Sequence, residues 1–76
     1  MTFYWDFYGP MSAGTAAHFK RHLDDFLHRA DVESAQTGVE TYTELHCAAW
    51  CTAPEATHPM IIESLRPHRG TRPADT

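Results

Sequence analysis

The chain has no asparagine, a single lysine (Lys20) and only two cysteines, Cys47 and Cys51. Two thiols, with no apolar segment after a basic start that would export the chain, argue against a disulfide-stapled secreted domain and predict a reduced, cytoplasmic protein. No apolar run approaches the ~18 residues of a membrane span, so no membrane partner is expected. No glycine-rich loop follows a strand to cradle phosphate, and nothing around Ser12, Ser34, Ser64, Cys47 or Cys51 resembles a nucleophile elbow. There are no internal repeats. No cofactor is implied.

What the chain does have is an aromatic start. Of its two Trp, three Tyr and four Phe, five fall in the first eight residues: Phe3, Tyr4, Trp5, Phe7 and Tyr8. Odd positions read Phe3, Trp5, Phe7 and even ones Tyr4, Asp6, Tyr8, the period-2 pattern of a strand with two different faces. Gly9-Pro10 closes it as a turn. With 76 residues the chain makes one domain, and a core this small is marginal without a staple or a partner. The domain is expected over residues 1–66, with 67–76 as a disordered basic tail in which Arg69 and Arg72 follow closely on Arg66. The net charge of -4 disfavours nucleic acid as a partner of the whole domain, and three Arg without interleaved aromatics are a thin footprint for one.

After the turn, Ser12 is a candidate N-cap, and Ala16, Phe19, Leu23, Phe26, Leu27 and Ala30 recur at helical spacing over about residues 13–30. The opposite face carries the i,i+4 pairs Lys20/Asp24, Arg21/Asp25 and Asp25/Arg29. From Val39 to Cys51 the chain alternates again, with Leu45, Cys47, Ala49 and Cys51 on the core side and Tyr42, His46 and Trp50 on the other. A helical reading of this stretch also exists, but its Thr and Tyr content favours strand. With no turn residue inside it, 39–51 is expected to be one long strand, bent or bulged. Thr52-Ala53-Pro54-Glu55 matches a capping box, and Pro59 requires the helix to restart near Thr57 or to follow a single turn over 53–57. Met60, Ile61, Ile62 and Leu65 supply its apolar face.

The expected fold is therefore α+β: a small β-α-β-α module whose two strands, joined through a long helix, run parallel if they are neighbours. A two-stranded sheet with aromatics on its second face needs a cover, and a second copy of the chain is the nearest source. The expected assembly is a homodimer.

The candidate binding residues lie on that second face: Tyr4, Tyr8, Tyr42, His46 and Trp50, rings with polar tips that suit interfaces and ligand pockets. They serve a dimer core as readily as a ligand site. The sharpest metal candidate is His18-x-x-x-His22 with Asp25, which fall within about 60° of one another on a helix surface. The plainer alternative is a solvated helix flank, and no Glu follows His18 to make the zinc-protease pattern. Cys47-x-x-x-Cys51 with His46 is a poor metal spacing, and both thiols read as small core residues. The leading function is a non-catalytic binding or adaptor module acting as a homodimer. Its rivals are a His-based metal-binding protein (His18, His22, Asp25) and an enzyme whose site forms between subunits.

Overall fold

The computed structural model describes residues 1–71. Strand β1 (Thr2–Tyr8) forms where the alternation predicts it, with Phe3 and Trp5 buried on one face. The chain turns at Gly9, whose φ of +106° only glycine adopts without strain. Helix α1 (Ser12–Arg29) then buries Ala16, Leu23 and Leu27. Its cap position is Met11 and not Ser12. Ser12 lies inside the helix with its hydroxyl buried and unpartnered, while the backbone N–H and hydroxyl of Thr15 both donate to the Met11 carbonyl. The helix ends on Asp31, in the left-handed region at φ 61°. There Asp31 N–H donates to His28 O and Val32 N–H to Leu27 O, the paired bonds of a Schellman stop.

The stretch 39–51 is not one strand. It is a hairpin of β2 (Gln36–Thr43) and β3 (His46–Thr52), turned through Glu44 and Leu45. The turn forms without Asn or Gly because the Thr43 hydroxyl accepts a bond from Leu45 N–H, and Gly9 N–H donates to Leu45 O from the neighbouring loop. Leu45 is thus an exposed turn residue and not a core one. The register shifts between Thr41 and Thr43, so Tyr42 is an extra residue bulged out of the ladder. Thr52 ends β3, its hydroxyl bonded to that of Thr2, and makes no capping box. A 3-10 turn (Glu55–Thr57) leads into α2 (His58–Leu65), where Pro59 sits in the first turn and costs no hydrogen bond. Strand β4 (Arg69–Thr71) falls within the segment expected to be a disordered tail; residues 72–76 of that segment lie outside the described residues.

The sheet has four strands in the order β2-β3-β1-β4, all neighbours antiparallel. This overturns the expected two-stranded parallel module. β1 and β2 do run parallel, since both are antiparallel to β3, but β3 is inserted between them. That is the split β-α-β arrangement. The long crossover of α1 leaves a strand-wide gap, and the hairpin returns β3 into it with Cys47, Ala49 and Cys51 turned toward the helices. Phe3, Trp5, Leu23, Leu27, Ala49, Cys51, Ala53 and Ile61 form one core. The Trp5 indole N–H donates to Leu65 O at 2.8 Å and ties α2 onto β1. Both helices contribute to this core on one face of the sheet, so the molecule is a two-layer slab with Cα extents of 35 × 33 × 19 Å. No helix among the described residues is long and apolar enough to cross a membrane.

Candidate functional site

Because side chains alternate along strands, everything opposite the helix layer is set by the register. The pairs Tyr4↔Trp50, Asp6↔Ala48 and Tyr8↔His46 stand side by side on β1 and β3. Gly38 and Glu40 extend these rows on β2, and Arg69 lies beside Tyr4 on β4. The bulge carries Tyr42 to within 4.6 Å of the His46 ring, centroid to centroid. All five residues picked from sequence (Tyr4, Tyr8, Tyr42, His46 and Trp50) therefore share the uncovered face.

The centre of that face is a carboxylate. The Asp6 side chain is only 9% exposed, and it is held by three bonds. Arg69 donates to both its oxygens, Nε to Oδ2 at 3.0 Å and Nη2 to Oδ1 at 3.1 Å, a bidentate fork. His46 Nε2 lies 2.9 Å from Oδ1. The Arg69 fork acts first, burial opposes it, and His46 adds to it; together they hold the Asp6 carboxyl below its usual range. Arg69 in turn is held more firmly charged, by Asp6 first and then by Tyr42. Its guanidinium lies 4.1 Å above the Tyr4 ring and also donates to the Tyr42 hydroxyl, so cation–π and hydrogen-bond contacts fix it on two sides.

Around this pair the rings form a row. Tyr8 stacks on His46 at 4.4 Å and 17°, and His46 tilts against Tyr42. Trp50 lies across Gly38, where a Cβ would come within 2.5 Å of the indole. A glycine at this position is thus a packing requirement of the tryptophan. Asp6 N–H donates to His68 Nδ1 at 2.8 Å, so a ring nitrogen takes the place of the next carbonyl beyond β4. A shallow hollow of about 300 Å³ lies beside this cluster, walled by Thr2, Tyr4, Gln36, Glu40, Trp50 and Thr52. His46 is not among its walls.

Sequence reasoning missed Asp6, Arg69 and His68 as members of the site. Asp6 left a signal: a carboxylate between two tyrosines in mid-strand is costly unless a cation meets it. Arg69 and His68 left none, because their partners are more than 60 residues away in the chain.

The metal candidates divide. His18 and His22 come together on the exposed flank of α1, Nε2 to Nε2 at 3.0 Å. Asp25 does not join them: among the described residues no group of three or more His, Cys, Asp or Glu could hold a metal ion. Cys47 and Cys51 are free and buried on the core face. Burial, with a smaller contribution from Asp24, pushes the Cys51 thiol up to about 11. Comparison with known protein families, curated proteins and solved structures finds no match for this chain.

Proposed function

We propose that this protein is a non-catalytic binding module that works as a homodimer, in which the uncovered aromatic sheet face of one copy packs against that of another. One observation carries the reading: both helices lie on one face of the sheet, and the other presents Tyr4, Tyr8, Tyr42, Trp50 and His46 without a covering layer. Tyr8 is 73% exposed, although its ring makes the kind of contact that proteins bury at interfaces. The central charges are already paired, Asp6 against Arg69, so that covering the face leaves no lone charge in it. His46 lies outside the walls of the nearby hollow, which favours a contact surface over a substrate pocket.

Charge supports a second copy as the occupant. Glu40 lies on the β2 margin of the face and Arg69 on the β4 margin. A two-fold axis parallel to the strands lays each β2 over the other copy's β4, so that Glu40 faces the Arg69 nitrogen, Nη1, that donates to neither Asp6 nor Tyr42. Three strands of seven or eight residues and the three-residue β4, about 4.8 Å apart, make a platform of roughly 400 Å² per copy, below the roughly 600 Å² per partner of standard interfaces and in the class of weak, transient contacts. A cytoplasmic setting is part of the proposal, supported by two buried thiols left unpaired.

Light scattering and native mass spectrometry at about 500 μM, a concentration that populates weak contacts, test it. The wild type is expected as a dimer and Tyr8→Glu as a folded monomer. A wild-type monomer at that concentration, or an undiminished dimer in Tyr8→Glu, would refute the reading.

A further inference from the structure

The flank of α1 points to a second, independent site: we propose that His18 and His22 form a two-imidazole chelate for a divalent transition metal of tetragonal preference, Cu(II) or Ni(II). Four residues apart in the middle of an 18-residue helix, the two side chains are neighbours one turn apart. Their Nε2 atoms stand 3.0 Å apart, with ring centroids at 4.6 Å and planes near perpendicular at 76°. Both residues are exposed, so a metal and its waters reach them freely. Neither ring makes another hydrogen bond among the described residues. The one bond between them requires a lone pair on one Nε2, and a metal can take both.

In the metal-free helix the 3.0 Å spacing is that of a hydrogen bond between the two rings. It brings both nitrogens within reach of one ion, since two ligands with metal–nitrogen bonds of about 2.0–2.1 Å stand about 2.8–3.4 Å apart between right-angle and tetrahedral geometry. The metal is selected by the donor set: two imidazoles with oxygen donors completing the shell suit tetragonal Cu(II) and Ni(II), and the affinity order of divalent metals places Cu(II) first. With only two protein ligands, water or a donor from another molecule completes the shell. The carboxylate expected from Asp25 is not needed and is not recruited. This site lies on the helix layer and does not depend on the sheet-face dimer.

The test uses untagged protein stripped with EDTA and dialysed free of it, titrated with CuCl2, NiCl2 and ZnCl2 by calorimetry, with a parallel melting series. Cu(II) and Ni(II) are expected to bind one per chain and raise the melting temperature, because an ion that binds only the folded state stabilises it. The second imidazole binds within the same molecule, so His18→Ala and His22→Ala should each weaken binding by about a hundredfold. Both are exposed helix positions, and far-ultraviolet circular dichroism checks that the variants stay folded. His28→Ala, on the same helix but outside the pair, should bind as the wild type does. The electron paramagnetic resonance spectrum of the Cu(II) protein should show two equivalent nitrogen couplings, reduced to one in either variant. Undiminished affinity in His22→Ala, or Zn(II) binding more tightly than Ni(II), would overturn the proposal.

Discussion

Asp6 shows how one residue can be placed against its own chemistry and held there. A nearly buried carboxylate left alone costs several kcal/mol, and Arg69 and His46 offset that cost through three bonds. Arg69 remains partly exposed, so solvent screening limits what the pair adds. Asp6→Asn should lower stability by about 1–3 kcal/mol, read from chemical denaturation, because it leaves hydrogen-bonded groups unmatched. Acid should act through the same group. A carboxyl whose folded pKa is depressed contributes stability that is fully present above its unfolded value of 3.8 and is lost as pH falls through the lower folded value. Asp24 adds in the same direction: burial alone would raise its carboxyl, but the Thr37 hydroxyl and Lys20 outweigh that. Stability should therefore hold between about pH 5 and 8 and decline below about pH 4, with a weaker decline in Asp6→Asn. Gly38→Ala tests the neighbouring contact. A methyl where the indole lies should cost about 1–3 kcal/mol as overpacking and shift the Trp50 fluorescence; an unchanged spectrum and melt would mean that the ring lies elsewhere.

At the scale of the element, α1 was legible because its signals are local: an apolar stripe at period 3.6 and ion pairs one turn apart, of which Lys20–Asp24 forms at 2.9 Å. Its stop was less so, because a left-handed aspartate uses none of the glycine that normally marks one. Asp31→Gly should raise stability by about 0.5–1 kcal/mol, measured as a shift in denaturation midpoint. It relieves the positive φ and removes a negative charge from the negative end of the helix. Composition alone makes 39–51 a single strand, because Glu44-Leu45 is not a turn dipeptide. What turns the chain there is the Thr43 hydroxyl and a bond from Gly9, and only the second comes from outside the local sequence. The alternation on either side survives the turn, so the faces of Tyr42, His46 and Trp50 follow from the sequence even though the hairpin does not.

For the whole molecule, the governing fact is that two layers leave one sheet face without a cover. If the dimer forms as proposed, Glu40→Arg should weaken it by about two- to fivefold, the worth of a rim charge pair, and high salt should mask most of that difference. Sedimentation equilibrium at low and high ionic strength reads both. The core makes a separate prediction. Cys47 and Cys51 are at most 1% exposed, and burial keeps Cys51 protonated at neutral pH. Both should resist a thiol reagent in the native state and react together on unfolding. Rapid labelling of the folded protein would place them outside the core described.

The sequence by itself determined the first two elements, β1 and α1, the buried side of each, and the membership of the aromatic face. All of these follow from periodicity, which is a property of consecutive residues. Tertiary structure alone decided the number and order of strands, because insertion of β3 between β1 and β2 depends on which backbone edge is free when the hairpin arrives. It also decided the centre of the face. Asp6, His46 and Arg69 meet across 40 and 63 residues of chain, and a bidentate ion pair over that separation exists only once the sheet has set both strands side by side.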